Sequence, residues 1–294
     1  SNDRVLYQLA RVYELRGMRE QQLAALDRLV EDYPGSELWV ESQFRRGDIL
    51  FRDNRYAEAE DAFRTVINAD PSASRGESFL VNAIYMRGWS QFKQGDFRPA
   101  LRSYMDVLEL VVPDNVSAVS IDEQYQTLTE DLFRVFGLSL SYLDGANTLQ
   151  ALFDQVGEKP YERLIYDRYS ELLFEREQYS DAISVYERYI ESRPFSPWAP
   201  RYYVRIIEIL QAAGFTSSIT DRKAQFVNDY GFYSNYWQQA DKETLGFIEQ
   251  QLETLIPELA NRQYALAADS QGREARERYL IAADYYEEFA DTFP

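Results

Sequence analysis

A spacing of aromatic and alanine residues recurs four times along the chain and constrains its fold more than any other feature. Each copy has an aromatic residue, an alanine three positions later and a second aromatic four positions after the alanine. The four copies are Tyr56-Ala59-Phe63, Phe97-Ala100-Tyr104, Tyr179-Ala182-Tyr186 and Tyr279-Ala282-Tyr286. Because offsets of three and four residues share one face of an α-helix, each copy predicts a helix with one packed face.

A proline follows each copy and predicts where its helix ends. Pro71, Pro194 and Pro294 lie eight positions after the second aromatic residue of their copies, and Pro113 lies nine positions after Tyr104. Proline lacks a backbone N–H group and clashes with the preceding helical turn. These prolines therefore predict helix ends at similar places in all four copies.

A small residue also precedes each copy, nine positions before the first aromatic residue. These small residues are Gly47, Gly88, Ser170 and Ser270. Each falls in an upstream helical segment, where a short side chain would let two helices approach closely. Short polar turns, such as residues 53–55, 94–96 and 176–178, separate the two segments. The predicted unit is a helical hairpin of about 34 residues.

This pattern resembles the tetratricopeptide repeat (TPR) family, whose unit carries a small residue, an aromatic, an alanine, an aromatic and a proline in that order. The best match uses Gly47, Leu50, Tyr56, Ala59, Phe63 and Pro71. A second close match uses Ser170, Leu173, Tyr179, Ala182, Tyr186 and Pro194. The family's large aromatic at its fourth position is replaced by Gln43 in the best repeat. The resemblance implies an all-α fold, a right-handed α-solenoid of stacked TPR-type helical hairpins.

We expect one such solenoid over residues 1–294, because no stretch with the composition of a linker divides the chain. Its seven repeats are predicted at about residues 3–36, 37–71, 78–113, 130–161, 163–197, 198–231 and 241–294. One hairpin cannot bury its apolar face alone, so the repeats must be stabilised by stacking on their neighbours. Pro294 is the final proline of a repeat and no polar capping helix follows it. We therefore expect the chain to be a fragment of a longer repeat protein.

The residue inventory removes most catalytic chemistry. The chain has no histidine and no cysteine, which excludes Ser-His-Asp triads, thiolate nucleophiles and histidine or cysteine metal sites. It also lacks a glycine-rich phosphate-binding loop. Its carboxylates fall among polar residues at helical spacing, which is typical of solvated helix faces. We expect a protein that is not an enzyme and that has no catalytic residues, no metal and no cofactor.

The charge of the chain narrows the choice of partners. The sequence has 31 Lys and Arg residues against 49 Asp and Glu residues, which gives a net charge of −18. This charge repels phosphate backbones and anionic lipids. No apolar run approaches the ~18 residues that a membrane span requires. We expect a protein or peptide partner, no nucleic acid and no membrane span in this segment, and a homo-oligomer is compatible with the sequence.

The resemblance also implies where a partner would bind. In the TPR family the first helix of each repeat lines the concave face, which carries most ligand contacts. The residues at these positions are Phe44, Asp48, Phe51, Tyr85, Trp89, Phe92, Lys93, Asp167, Glu171 and Phe174. Tyr85, Trp89 and Phe92 share one helix face and form what we call the aromatic stripe. The alternative is that this stripe packs against the next helix or lies under the insertions at residues 72–78 and 114–128.

A second aromatic cluster lies between the sixth and seventh predicted repeats. It consists of Tyr230, Phe232, Tyr233, Tyr236 and Trp237. Five aromatic residues in so short a segment could form an exposed docking patch. The alternative is that they fill the gap left by two irregular repeats.

The pattern as a whole predicts a non-catalytic protein-interaction scaffold that binds its partner on the concave face. The Tyr-rich repeats that end in proline are similar to those of bacterial cell-envelope TPR proteins. This narrower resemblance implies a bacterial protein of the periplasm or cell envelope that takes part in an envelope assembly. The absence of cysteine fits an oxidising compartment. Two alternatives stay open, namely a cytoplasmic TPR adaptor or chaperone-like peptide binder, and a regulatory or assembly domain of a larger enzyme.

Overall fold

The computed structural model describes residues 2–69, 77–112, 121 and 123–294. These residues contain fourteen α-helices and no β-strand, so the prediction of an all-α fold is confirmed. Pro71 and Pro113 lie outside the described residues, as do residues 72–76 and 114–120 of the two predicted insertions.

The helices divide between two compact bodies, residues 1–168 and 169–294, which we call the N-terminal and C-terminal bodies. The first eight helices are α1 (Asn2–Leu15), α2 (Arg19–Asp32), α3 (Trp39–Arg52), α4 (Tyr56–Ile67), α5 (Glu77–Gln94), α6 (Phe97–Val111), α7 (Gln126–Ser141) and α8 (Gly145–Val156). The next six are α9 (Glu162–Glu175), α10 (Tyr179–Ser192), α11 (Ala199–Ala212), α12 (Thr216–Tyr230), α13 (Lys242–Ala268) and α14 (Gly272–Thr292). The division between the bodies falls within α9. The single solenoid over all 294 residues therefore stays a prediction.

The repeated spacing produces one packing contact in each of the first two copies. The second aromatic residues, Phe63 and Tyr104, are fully buried against the preceding helix. A Cβ atom added to Gly47 would lie 2.7 Å from the ring of Phe63, and one added to Gly88 would lie 2.6 Å from the ring of Tyr104. Only glycine therefore lets these rings contact the backbone of the first helix.

In the third copy, a serine takes the place of the glycine at the contact between the two helices. Ser170 is buried on α9, and its Oγ donates a hydrogen bond of 3.0 Å to the backbone carbonyl of Ala182 on α10. The hydroxyl is thereby satisfied inside the helix pair, where an unpaired polar group would be costly. The second aromatic residue of this copy, Tyr186, is also buried.

The fourth copy does not form this packing, and here the sequence-based expectation is wrong. Tyr56, Phe97 and Tyr179 each begin a helix, whereas Tyr279 lies well inside α14. Ser270 lies in the turn before α14 and not on the first helix of the pair. Of this copy only Ala282 is buried, because α13 and α14 are 27 and 21 residues long and pair with a different offset.

The turns inside the hairpins pass through the left-handed region of backbone space. Gly95 has φ 83° in the turn after α5, and Glu177 has φ 60° in the turn after α9. An L-residue other than glycine pays about 1 kcal/mol or more for this conformation, because its Cβ approaches the following carbonyl oxygen. Glu177 is therefore a strained residue at a position that suits glycine.

We expect Glu177→Gly to raise the free energy of unfolding by about 0.5 kcal/mol, because relief of strain exceeds the added flexibility of the unfolded chain. Urea unfolding followed by circular dichroism measures this change. The matched variant Gly95→Ala, which adds a Cβ at the corresponding turn position, should lose about 1 kcal/mol. A loss of stability in Glu177→Gly would contradict the claim that the backbone of Glu177 is strained.

Candidate functional site

Asp131 on α7 connects two residues of the aromatic stripe on α5 to the next first helix. Its carboxylate accepts hydrogen bonds from the Tyr85 hydroxyl and from Trp89 Nε1, the latter at 3.2 Å. The Nε of Arg134, one turn further along α7, also donates to it at 3.0 Å. Tyr85 and Trp89 are therefore held in defined orientations by one acidic side chain.

The protonation states of Asp131 and Tyr85 favour the hydrogen bond between them. Burial raises the pKa of Asp131, but the hydrogen bonds from Tyr85 and Arg134 outweigh it and hold the pKa below its usual value. Burial and the hydrogen bond to Asp131 both raise the pKa of Tyr85. At neutral pH the carboxylate is therefore charged and the phenol is a neutral donor.

Trp89 lies between two cationic side chains. Lys93 Nζ is 5.8 Å from the centre of the indole ring, and the Arg134 guanidinium carbon is 5.7 Å from it. Both distances fall within the range of cation–π attraction. Trp89 is only partly buried and Lys93 is exposed, so the indole and the lysine remain accessible.

Phe92, the third residue of the stripe, packs at the turn end of the hairpin. Its ring centre is 5.6 Å from that of Trp89 and 5.5 Å from that of Phe97 at the start of α6. Tyr142, after α7, stacks on Phe97 at 4.6 Å and is exposed to solvent. The stripe therefore makes the contacts of the packing alternative, yet its three rings stay partly accessible.

The same kind of junction joins α1 to α3. The Tyr7 hydroxyl donates to Glu41 at 2.5 Å, and Arg45 Nε donates to the same carboxylate at 3.0 Å. The Arg45 guanidinium lies 5.8 Å from the centre of the Tyr7 ring. Burial raises the pKa of Glu41, but the hydrogen bonds from Tyr7 and Arg45 outweigh it and lower the pKa. Both junctions thus use a tyrosine, a carboxylate on the next first helix and an arginine one turn later.

The remaining aromatic residues predicted for the concave face make packing contacts. Phe44 lies 5.6 Å from Phe63 and 5.7 Å from Phe79, and so links α3 to α4 and α5. The aromatic ring pairs Phe51–Tyr56 and Phe174–Tyr179 each close the turn of a hairpin, at 5.3 and 5.4 Å.

The acidic residues predicted for the concave face lie on other helices than the aromatic stripe. Asp48 is half-buried on α3 and pairs with Arg52 at 2.8 Å. Burial raises the pKa of Asp48 and exceeds the opposing effect of Arg52. Asp167 is partly buried and Glu171 is exposed, both on α9. On α5, by comparison, Trp89 contacts Phe92 and Lys93 and shares Asp131 with Tyr85.

The second aromatic cluster is not an exposed patch as a whole. Tyr230 and Tyr236 are buried in the core of the C-terminal body, and the Tyr236 hydroxyl donates to the Ser196 carbonyl at 2.7 Å. Phe232 and Trp237 are partly buried, with ring centres 5.7 Å apart. Tyr233 alone is largely exposed, and its hydroxyl donates to Asp291. The docking-patch hypothesis therefore has to be corrected for Tyr230 and Tyr236, which serve the core.

Within the described parts of the chain, no three acidic side chains are arranged to hold a metal ion. The helices of these parts include none with the length and apolar character of a membrane span. The carboxylates of the site, Glu41 and Asp131, are occupied by tyrosine and arginine donors. The surface that stays accessible beside them comprises part of the Trp89 indole and the Lys93 side chain.

Two family models match the sequence, and both describe tetratricopeptide repeats. One covers residues 7–74 and the other residues 82–111. These ranges include α3, α4, α6 and most of α5, where the small residue and the buried aromatic residue pack as described above. No curated protein matches the chain.

Solved structures give weaker similarities. A tetratricopeptide repeat protein from Parabacteroides merdae is 12% identical with a TM-score of 0.41, and the match covers 96% of this chain and 98% of that one. The Rap conjugation gene regulator of plasmid pLS20, in complex with the Phr* peptide, is 12% identical with a TM-score of 0.38 and coverages of 100% and 76%. The TPR2AB domain of yeast Sti1 in its pHSP90 complex is 12% identical with a TM-score of 0.33 and coverages of 96% and 99%.

At such TM-scores these similarities support no conclusion about function. The assignment depends instead on the two matched family models and on the helix pairs that the matched residues form. Residues 7–74 and 82–111, about a third of the chain, are matched by models of the tetratricopeptide repeat family.

Proposed function

We propose that the protein is a non-catalytic scaffold that binds a protein or peptide partner on the concave face formed by its first helices, with Trp89 as the central contact. Tetratricopeptide repeat proteins are generally interaction modules without catalytic activity, which supports this role. The observation that carries the proposal is the orientation of Trp89 by Asp131, which leaves part of the indole accessible between Lys93 and Arg134.

A tryptophan held in this way is suited to binding. Tryptophan, tyrosine and arginine dominate the energetics of protein interfaces because they bury a large area. Trp89 has its Nε1–H satisfied by Asp131 before any partner arrives, so binding does not leave that donor unpaired. A side chain whose orientation is fixed in the free protein also loses little conformational entropy on binding.

The charges beside Trp89 suggest what the partner presents. Arg134 is neutralised by Asp131, whereas Lys93 makes no ion pair with any described residue. Lys93 therefore offers a free donor one turn from the indole. An apolar side chain on Trp89, next to a carboxylate or carbonyl oxygen for Lys93, would satisfy both groups.

Site-specific photo-crosslinking in the cells that express the protein tests the proposal. A photoreactive amino acid in place of Lys93 should capture one discrete partner, and the additional change Trp89→Ala should abolish that capture. The same amino acid in place of Arg98, exposed on the second helix α6, is the control and should capture nothing specific. Equal capture from both positions would contradict the proposal, provided that circular dichroism shows the Trp89→Ala variant to be folded.

The proposal extends to a place in a bacterial cell-envelope assembly. The support is the similarity of the Tyr-rich, proline-ended repeats to envelope TPR proteins and the absence of cysteine. Fractionation of cells that express the complete gene tests this part. Recovery of the protein in the periplasmic or membrane fraction would support it, and recovery in the cytoplasmic fraction alone would favour the cytoplasmic adaptor.

A further inference from the structure

The distal half of the last hairpin is exposed over most of its surface. We call residues 261–281 the arm, which comprises the end of α13, the start of α14 and the turn between them. The proximal half of α13 carries Ile248, Leu252 and Ile256 into the core of the C-terminal body. Within the arm, by contrast, only Ala267 is buried. The arm is therefore a helical hairpin that extends beyond its own core.

The arm exposes five large apolar side chains. Tyr279, Leu280 and Ile281 are consecutive residues of α14, with exposures of 41%, 56% and 42%. Three consecutive helical residues point about 100° apart, so α14 is apolar over much of its circumference here. Tyr264 and Leu266 on α13 are also exposed, at 55% and 36%. Such a surface is typical of an interaction site, because soluble proteins rarely leave contiguous apolar patches open.

The charge of the arm has the opposite sign to that of the whole chain. The arm carries the arginines 262, 273, 276 and 278 and the carboxylates Asp269, Glu274 and Glu277, in a chain of net charge −18. Two of the arginines are neutralised within α14, in the pairs Arg273–Glu277 at 2.7 Å and Arg278–Glu274 at 3.0 Å. Arg262 and Arg276 form no ion pair with the described residues.

These two free arginines border the apolar surface. Arg276 lies one turn before Leu280 on α14, and Arg262 lies one turn before Leu266 on α13, so each shares a helix face with an exposed leucine. At physiological salt the Debye length is about 8 Å, so a partner is affected by these two arginines and by the exposed Asp284, one turn after Leu280, more than by the distant carboxylates. A partner that covers the leucines would therefore meet two guanidinium groups at the edge of the contact.

From this arrangement we infer that the arm is a second interaction site, separate from the concave face, and that its partner is an amphipathic helix with an apolar face bordered by carboxylates. The apolar face covers Leu280, Ile281 and Tyr264. The bordering carboxylates pair with Arg262 and Arg276, since guanidinium groups bind carboxylates through two parallel hydrogen bonds. A membrane surface is disfavoured, because four arginines against three carboxylates give the arm too small a local positive charge to hold anionic lipid strongly.

Two synthetic helical peptides test the inference on the full chain. They share one leucine face, which is bordered by glutamates in the first peptide and by lysines in the second. Fluorescence anisotropy should show that the glutamate peptide binds at least about tenfold more tightly. The double variant Arg262→Glu and Arg276→Glu should reverse this preference, and Leu280→Ser should weaken both peptides. Equal affinities, or a preference for the lysine peptide, would overturn the inference.

Control variants separate the arm from the rest of the molecule. Phe215→Ser removes another exposed apolar side chain of the C-terminal body, and Arg188→Glu with Arg205→Glu reverses two arginines outside the arm. Both control proteins should bind the glutamate peptide as the unchanged chain does. Binding to phosphatidylglycerol vesicles without binding to either peptide would assign the arm to a membrane and overturn the inference. Self-association that Leu280→Ser abolishes would assign it to a second copy of the chain, with the same consequence.

Discussion

Gly88→Ala is expected to lower the free energy of unfolding by about 2 kcal/mol, although alanine favours a helix more than glycine does. The new Cβ would lie 2.6 Å from the ring of Tyr104, well inside van der Waals contact. Tyr104 is fully buried, so its ring has no free space to move into. The strain of overpacking should therefore exceed the gain of up to about 1 kcal/mol that the substitution gives to an unstrained helix.

A matched substitution gives the opposite sign. Gly246 lies in the interior of α13, and no atom would come within 4 Å of a Cβ added there. Gly246→Ala should therefore raise the free energy of unfolding by about 0.5–1 kcal/mol. Urea unfolding of both variants, followed by circular dichroism, measures the difference. Equal stabilisation by both changes would show that the Gly88–Tyr104 contact is not as close as described.

The contact can also be tested from its other side. Tyr104→Leu replaces the ring with a smaller side chain and should itself destabilise the protein through the cavity that it leaves. Combined with Gly88→Ala, it should cost less than the sum of the two single changes, because the added methyl group fills part of that cavity. A coupling energy of about 1 kcal/mol in this double-mutant cycle would be typical of residues in contact. Additive effects would argue against the contact.

The hairpins could be predicted from sequence where the packing is local. The glycine and the aromatic residue that contact each other lie on the two helices of one hairpin, as in the pairs Gly47–Phe63 and Gly88–Tyr104. Only the turn between the helices separates them, so the length of the hairpin fixes their spacing. The last hairpin has longer helices, and the same spacing at Tyr279 therefore falls at a different height along α14. The prolines predict where these helices end, since α10 and α14 each end two residues before theirs, but the spacing does not reveal that α14 begins at Gly272, well before Tyr279.

In the candidate site, the aromatic stripe could be predicted from the sequence but its acidic partner Asp131 could not. Helical periodicity placed Tyr85, Trp89 and Phe92 on one face, and in the structure Trp89 contacts Phe92 and shares Asp131 with Tyr85. Asp131 was missed because it lies 46 residues after Tyr85, a separation that includes an insertion and follows no repeat length. Glu41 lies 34 residues after Tyr7, which is one repeat, so a search for polar pairs at that separation could have found it.

The aromatic residues at the end of α12 and in the segment after it show that composition does not predict which side chains are buried. Tyr230, Tyr233 and Tyr236 are the same residue type with similar sequence neighbours, yet the first and third are buried and Tyr233 is exposed. Burial is decided by where the segment crosses the core formed by α11, α12 and α13. That crossing depends on tertiary contacts such as the hydrogen bond from Tyr236 to Ser196, 40 residues earlier, which residue type alone does not encode.

Asp131→Ala should have the other large effect and lower the free energy of unfolding by about 2 kcal/mol at neutral pH. Hydrogen bonds to a charged group contribute about 1.5–3 kcal/mol each when buried, and this carboxylate accepts from Tyr85, Trp89 and Arg134. The side chain of Asp131 keeps an exposure of 32%, so water can replace part of what is lost, and the sum of three buried bonds is not expected. Because α5 and α7 are joined at this residue, the variant should also lose partner capture through Trp89.

The pH dependence of this loss distinguishes Asp131 from an ordinary surface carboxylate. Its pKa is lower in the folded than in the unfolded protein, despite the opposing effect of burial, because Tyr85 and Arg134 stabilise the charged form. The unfolded chain therefore binds the proton first as the pH falls, and the stabilisation present above pH ~4 disappears through the folded pKa. The difference in unfolding free energy between the unchanged protein and Asp131→Ala should thus be largest at neutral pH and should shrink in acid. Asp284→Ala, on the exposed face of α14, is the control and should stay within ~0.5 kcal/mol at every pH. A pH-independent loss in Asp131→Ala would show that packing, and not the charged hydrogen bonds, holds α5 against α7.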